Sequence, residues 1–229
     1  MSTINLQKEM LLTVAKALGN ELLQQVTFVG GCTTGLFVTD EFTKEQVRYT
    51  DDVDLIVNIM GYAKFAQLQE TLRYKGFKED PTEDVICRML LGELKVDFMP
   101  IDEQALGFSN SWYKKAAETA LDYTLESDIV IKLIRPEYFI ATKLEAYLGR
   151  GNGDLLSSHD IEDILNLFDG RESIVVDISH ADTELKNYIS EELSKLIEEY
   201  DFEMVVQSAT QGDRLREDII YSRLNECIN

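Results

Sequence analysis

The sequence predicts an α+β protein, in which a small mixed β-sheet with helices is followed by a mostly helical C-terminal region. Three observations support this prediction. A β-rich run at residues 26–29 leads into a glycine pair, residues 51–57 become apolar in their second half as a buried strand does, and residues 85–99 have the pattern of a hairpin. From residue 112 onward, helical spacing of apolar residues prevails.

The N-terminal elements follow from residue spacing. Apolar residues recur at helical intervals over residues 6–23, which predicts an opening helix that packs on the core. The run 26–29 is the first strand, the glycine pair is a tight turn, and residues 33–38 are compatible with a helix. A polar loop is expected at residues 40–50.

The middle of the chain completes the predicted sheet. Residues 51–57 form its second strand, and helical spacing at residues 62–75 predicts a helix after it. The hairpin over residues 85–99 turns at Leu91-Gly92. The sheet and its helices thus span roughly residues 26–102.

The remainder is predicted to be mostly helical. Pro136 suits the first turn of one helix, and Ser157 or Ser158 suits the N-cap of the next. The run 129–134 is too short and apolar to assign. The predicted helices are residues 136–148, 159–168, 182–200 and 213–227. We therefore expect a core domain over residues 1–110 and a helical region over residues 111–229.

The charge of the chain limits its partners. Its 229 residues include 22 basic and 42 acidic side chains, a formal net charge of −20. A broad basic surface for nonspecific nucleic-acid binding is therefore not expected. From residue 151 onward there are 6 basic and 19 acidic residues, which form either a solvated helical face or a docking surface for a basic partner. Candidates for a local basic patch are Lys114, Lys115, Lys132, Arg135 and Arg150.

The cysteine content and hydropathy exclude several classes of protein. The 3 cysteines are far apart with no C-x-x-C pair, so neither a disulfide framework nor structural zinc is expected. The N-terminus is too polar for a secretory signal, and no apolar run approaches the roughly 20 residues that span a bilayer. We expect a cytoplasmic protein with no membrane partner.

Three carboxylates are the strongest candidates for chemistry. Asp52 and Asp54 lie two apart at the start of a strand, so their side chains share one face, and Asp97 is the only acid in the apolar strand around it. Neighbouring carboxylates repel each other unless a cation neutralises them, and Mg²⁺ prefers such oxygen ligands. D-x-D alone is also typical of an acidic strand entrance. Asp97 favours the metal site.

The glycine pair before these acids is a candidate phosphate site. Gly30 and Gly31 follow a strand and precede a helix, where backbone can approach a ligand closely and free amides favour a phosphate. Thr33 and Thr34 could add hydroxyl donors. A plain turn explains the same glycines, so the indication depends on the carboxylate pair about twenty residues later.

Together these residues resemble the nucleotidyltransferase fold shared by polymerase-β-like enzymes. The Arg-x-Thr-x-Asp-x-Asp form in particular resembles the AbiEii-type nucleotidyltransferases, many of which are toxins of bacterial toxin–antitoxin pairs. The resemblance covers roughly residues 26–167. It rests on Val29-Gly30-Gly31, Arg48-x-Thr50-x-Asp52-Val53-Asp54-Leu55 and Val96-Asp97-Phe98. Arg48 is then either a phosphate contact or a surface charge.

Further residues match downstream. The family has a helix with a lysine, an arginine a turn or two later, and an aspartate that opens another helix; here these are Lys143, Arg150 and Asp160. The resemblance implies that Lys143 grips the triphosphate and that Asp160 orients this lysine or the acceptor. The residues alone allow a surface lysine and a first-turn acid. Two departures are Gly31, where many relatives have Ser, and His159, which replaces a Lys.

The resemblance implies transfer of a nucleoside monophosphate from an NTP to an acceptor hydroxyl, with pyrophosphate as the leaving group. Asp52, Asp54 and Asp97 would hold two Mg²⁺ ions, and Asp97 would help to deprotonate the acceptor. The implied acceptor is an RNA end such as that of tRNA, with a small molecule such as an antibiotic, or a protein hydroxyl, as alternatives. An antitoxin protein is an implied partner. A different class of function is a non-catalytic binding module of the same fold.

Overall fold

The computed structural model describes residues 2–79, 85–149 and 154–228. The strands are β1 Val26–Val29, β2 Asp52–Val57, β3 Phe77–Lys78, β4 Arg88–Leu91, β5 Leu94–Pro100, β6 Leu121–Glu126 and β7 Ile129–Leu133. The helices are α1 Thr3–Leu23, α2 Thr34–Phe37, α3 Glu41–Gln46, α4 Tyr62–Tyr74, α5 Glu103–Leu106, α6 Tyr113–Thr119, α7 Pro136–Gly149, α8 His159–Gly170, α9 Ile174–Ser179, α10 Thr183–Ile197, α11 Phe202–Ala209 and α12 Arg214–Ile228. A short 3-10 helix, Gly31–Thr33, precedes α2.

Within the described ranges the strands form a mixed sheet in the order β3-β4-β5-β2-β1-β7-β6. β2 pairs in parallel with β5 and antiparallel with β1, and β1 pairs in parallel with β7. The predicted hairpin is present as β4 and β5, which turn at Gly92 with a φ of 66°. The predicted α+β class, a mixed sheet followed by helices, is confirmed.

Contacts between residues group the chain into two compact units. The first consists of Met1–Thr33 and Tyr49–Arg135, and it contains the sheet. The second consists of Thr34–Arg48 and Pro136–Asn229, and it is helical. The division of the chain at residue 110 stays a prediction. No helix of the described residues combines the length and the apolar character needed to cross a membrane.

The first unit is built on alternating residues of its central strands. Val53 and Leu55 on β2 and Val96 on β5 are fully buried, because side chains two apart on a strand point to the same face. The predicted opening helix is confirmed as α1, which buries Leu11 and Leu18 and has one non-helical residue, Gly19.

The second unit is built around α8, which is buried on nearly all sides. Its fully buried apolar residues include Ile161, Ile164 and Phe168. Ser158 caps this helix by accepting a hydrogen bond from the Ile161 amide at 3.3 Å, as the sequence predicted. The helices predicted at residues 136–148, 159–168, 182–200 and 213–227 are confirmed as α7, α8, α10 and α12.

Two local predictions are wrong. Leu121–Glu126 is a strand rather than part of the helical region, and its alternation of apolar with polar residues is the period of a strand. The expected loop at residues 40–50 contains the helix α3, whose N-cap Asp40 accepts a hydrogen bond from the Thr43 amide at 3.0 Å. Asp40 is a favourable capping residue, so the signal for α3 was present.

Candidate functional site

The first unit brings the three predicted carboxylates together. Asp52 and Asp54 share one face of β2, and Asp97 lies on the parallel neighbour β5 as the register partner of Asp54. One carboxylate oxygen of each residue lies within 4.8 Å of the others. We call these three residues the carboxylate triad. Asp97 is buried, and the other two are half-buried.

An arginine that the sequence analysis did not select contacts the carboxylate triad. Arg88 Nε lies 2.8 Å from Asp97 Oδ1 and Arg88 Nη2 lies 2.8 Å from Asp97 Oδ2, which is a two-pronged charge-assisted pair. Arg88 Nη2 also lies 3.3 Å from Asp52 Oδ2. The hairpin register could have revealed this contact, because counting back from the turn places Arg88 directly opposite Asp97.

Thr50 and Cys87 lie beside the carboxylate triad and interact with its charged groups. The hydroxyl of Thr50, a residue of the Arg-x-Thr-x-Asp-x-Asp pattern, donates a hydrogen bond to Asp52 Oδ1. Burial, followed by the charges of Asp97 and Asp54, raises the pKa of the Cys87 thiol to about 12. The Cys87 thiol is therefore protonated at neutral pH.

Gly30 is required by the position of Asp54. Its φ is 76°, and a Cβ atom at this position would lie 1.7 Å from Asp54 Oδ2. The glycine pair thus lets one carboxylate of the triad approach the backbone closely. Thr33 is buried, and its hydroxyl donates to the Gly30 carbonyl at 2.8 Å. The roles of Gly30, Gly31 and Thr33 in phosphate binding stay predictions.

The carboxylate triad fits a divalent cation. All three residues offer carboxylate oxygens, the donor type that hard cations such as Mg²⁺ and Mn²⁺ prefer. With Arg88 included, the four side chains have a formal charge of −2, which a doubly charged ion would neutralise. The Asp52 side chain is 26% exposed, so solvent reaches the cluster. These residues could hold a metal ion.

The second unit contains a separate cluster around Lys143 on α7. Lys143 Nζ lies 3.0 Å from Asp160 Oδ1 and 2.7 Å from Asp163 Oδ2, both on α8. Arg48 Nη2 lies 3.2 Å from the same oxygen of Asp163. The Thr34 hydroxyl donates to Asp163 Oδ1 at 3.1 Å. We call Arg48, Lys143, Asp160 and Asp163 the lysine cluster.

Burial distinguishes the lysine cluster from surface ion pairs. Lys143 and Asp160 are 8% and 2% exposed, so the alternative of a surface lysine is wrong. Asp163 is fully buried; burial by itself raises its pKa, but the charges of Lys143 and Arg48 and their hydrogen bonds lower it below the ordinary value of 3.8. Asp163 was not among the predicted site residues. Its spacing of three from Asp160 places both on one helical face.

The structure gives the surroundings of three candidates for the basic patch. Lys132 forms an ion pair with Asp122, at 2.6 Å. Lys115 lies 5.9 Å from the ring centroid of Trp112. Lys114 is exposed. Arg150 lies outside the described residues.

Comparisons with known proteins find similarity among solved structures. The sequence matches no protein-family model, and no curated protein matches it. The structure is similar to the crystal structure of an antigenic nucleotidyltransferase-like protein from Paracoccidioides brasiliensis. The two chains share 21% sequence identity with a TM-score of 0.49, and the match covers 90% of this chain and 92% of the other.

Proposed function

We propose that this chain is a Mg²⁺-dependent nucleotidyltransferase, which moves a nucleoside monophosphate from an NTP to an acceptor hydroxyl. The observation that carries the proposal is the convergence of Asp52, Asp54 and Asp97 from two parallel strands. Three clustered carboxylates repel one another, and one arginine offsets only part of that repulsion. Binding a divalent ion offsets the rest.

Within this proposal each side chain of the site has a defined task. The carboxylate triad holds the metal. The sequence resemblance implies that two metal ions bind there. Bound Mg²⁺ supplies positive charge that polarises the phosphates and favours an ionised acceptor. Thr50 fixes the orientation of Asp52 through its hydrogen bond, and Arg88 fixes that of Asp97 through its two-pronged pair.

The proposed reaction is a displacement at the α-phosphorus of the NTP. The acceptor hydroxyl gives its proton to Asp97, and its oxygen forms a bond to the α-phosphorus. The bond from that phosphorus to the bridging oxygen breaks, and pyrophosphate leaves with the electron pair. Arg88 donates hydrogen bonds to both oxygens of Asp97 and so fixes the orientation of this carboxylate.

The lysine cluster enters the proposal through the sequence resemblance. We assign Lys143 to the charge of the triphosphate and of the departing pyrophosphate. Its contact with Asp160 supports the predicted role of Asp160 in orienting this lysine. Further phosphate contacts are assigned to Gly30, Gly31, Thr33 and Arg48.

The acceptor we propose is an RNA end such as that of tRNA, and the physiological role is that of a toxin held by an antitoxin, as in the AbiEii-type proteins that the sequence resembles. Since the net charge is −20, RNA would have to meet a restricted basic patch. A small-molecule or protein hydroxyl is the alternative acceptor.

The metal-ligand variants test the proposal directly. D54N and D97N each remove one ligand charge at almost unchanged volume, so transfer of label from an α-labelled NTP is expected to fall by at least about 100-fold. The matched control is D51N, since Asp51 is exposed and pairs with Lys95 at 3.2 Å rather than with the triad. Far-UV circular dichroism checks that all three variants are folded. Unchanged transfer in folded D54N and D97N would remove the proposed site.

Digestion of the labelled product identifies the acceptor. The protein is incubated with each α-labelled NTP, Mg²⁺ and total cell RNA, and the product is treated with ribonuclease or protease. Loss of the label with ribonuclease supports an RNA acceptor, and loss with protease supports a protein acceptor. A calorimetric titration that finds no Mg²⁺-dependent nucleotide binding would instead favour a non-catalytic binding module.

A further inference from the structure

Arg88 occupies the carboxylate oxygens that a metal would use. Its guanidinium holds both oxygens of Asp97 at 2.8 Å and one oxygen of Asp52 at 3.3 Å. Its side chain is only 14% exposed, so this is a desolvated pair rather than a surface contact. In this state the arginine is a cation already bound to two of the three ligands.

The position of Arg88 is fixed by the fold. β4 pairs with β5 so that Arg88 lies opposite Asp97, and β5 pairs with β2 so that Asp97 lies beside Asp54. The backbone of Arg88 is therefore held opposite the carboxylates by strand pairing, whichever rotamer its side chain adopts. Its guanidinium lies on a long flexible stem, which allows the charged end to move while the backbone stays in place.

We propose that Arg88 is a resident counter-cation of the carboxylate triad, and that a divalent ion binds by displacing its guanidinium from at least one carboxylate. This inference deepens the proposed function, since it concerns the same carboxylates. Arg88 keeps the repelling acids together without metal and thereby sets the concentration at which metal binds. It is a positioning residue, because it acts on the metal through Asp52 and Asp97.

The sign of the effect follows from charge. A doubly charged ion and a guanidinium repel each other, and at a separation of about 5 Å this repulsion corresponds to somewhat more than tenfold in affinity even at the dielectric constant of water. Removal of the Arg88 charge should therefore tighten metal binding by about tenfold. If Arg88 served only to orient Asp97, its removal would weaken metal binding instead.

Calorimetric titration with MnCl₂ alone tests the proposal on the full chain. R88Q is expected to bind Mn²⁺ about tenfold more tightly than the wild type. R88K keeps the positive charge but not the two-pronged guanidinium, and its Mn²⁺ affinity should stay close to that of the wild type. The matched control is R73Q, which removes an arginine of the same unit that is half exposed and paired with Glu79. Its affinity should not change.

Thermal unfolding gives a second measurement. Without metal, R88Q should unfold at a lower temperature than the wild type, because the triad loses its counter-ion, and saturating Mn²⁺ should raise its Tm by more than it raises that of the wild type. Equal or weaker Mn²⁺ affinity in folded R88Q, or absence of Mn²⁺ binding in both proteins, overturns the proposal.

If R88Q does not fold, displacement of the Arg88 guanidinium can be measured in the wild type by nuclear magnetic resonance. In a Mg²⁺ titration of ¹⁵N-labelled protein, the Arg88 Nε–H resonance, assigned by its loss in R88K, should shift with the metal. A resonance that is unchanged at saturating Mg²⁺ contradicts displacement. These readouts involve no nucleotide, so failure of label transfer alongside tighter Mn²⁺ binding in R88Q would reject the proposed function and keep this inference.

Discussion

Replacement of Asp163 by asparagine should be one of the most destabilising conservative changes in the second unit. The Asp163 carboxylate is fully buried and accepts from Lys143, Arg48 and Thr34 at 2.7, 3.2 and 3.1 Å. Asparagine keeps the volume but removes the charge. Lys143 then retains Asp160, while Arg48 loses an anionic partner in a side chain that is only 17% exposed.

The magnitude follows from the cost of leaving a buried charge uncompensated. Removal of one member of a buried ion pair costs about 3 to 5 kcal/mol, and the remaining Lys143–Asp160 contact places D163N near the lower end, at about 3 kcal/mol. A typical domain has a free energy of unfolding of only about 5 to 15 kcal/mol. The variant should therefore lose a large fraction of its stability.

The same residue gives a pH dependence with a definite sign. The pKa of Asp163 in the folded chain is below its ordinary value of 3.8, so the folded state favours the ionised form. The resulting stability is fully present above that ordinary value and is lost as the pH falls through the lower, folded pKa. The difference between wild type and D163N should thus be constant from neutral pH to about pH 5 and shrink below 3.8.

Urea denaturation followed by far-UV circular dichroism measures both effects. E162Q is the matched control, because Glu162 precedes Asp163 on the same helix and its side chain is 40% exposed in a contact with His159. That variant should change the free energy of unfolding by less than about 0.5 kcal/mol. A D163N protein as stable as E162Q, or a difference that grows as the pH falls below 3.8, would refute the reasoning.

Two further changes test other contacts by the same denaturation assay. G30A should lower the free energy of unfolding by at least about 2 kcal/mol, because the new Cβ would clash with Asp54 and the φ at this position is unfavourable for alanine. G92A has a similar φ but open space around it, so it should lower the free energy of unfolding by only about 1 kcal/mol. R216A should lower the free energy of unfolding by roughly 2 to 3 kcal/mol, because Arg216 contacts Asp169 at 2.9 Å with a side chain that is only 16% exposed. Arg214 is an exposed residue of the same helix, so R214A should leave the free energy of unfolding unchanged. Equal losses within either pair would contradict these assignments.

The carboxylate triad was predictable because each step of the prediction was local. Spacing of two along a strand places Asp52 and Asp54 on one face, and a lone acid in an apolar strand marks Asp97 as a residue that needs a partner. Arg88 was equally accessible, since a predicted hairpin turn fixes the cross-strand pair. The strand pattern alone does not assign this cross-strand pair, because the register has to be counted from the turn.

The lysine cluster could be predicted only in part. Lys143 and Asp160 came from the family resemblance, and helical spacing could have added Asp163 to the same face. Arg48 and Thr34 lie 115 and 129 residues from Asp163 along the sequence, so no periodicity relates them. Contacts of this kind depend on how helices pack, which the pattern of one segment does not determine.

The structure changes what the isolated acid at Asp97 implies. A carboxylate in an apolar strand must be neutralised, but a metal and an arginine meet that requirement equally well, and Arg88 already meets it for Asp97. The indication for a metal is instead the surplus of charge, because Arg88 contacts Asp97 and Asp52 and the three carboxylates with this guanidinium still have a formal charge of −2. Because that surplus is two formal charges, metal affinity in the wild type and in R88Q decides whether the triad is a cation site or a structural ion pair.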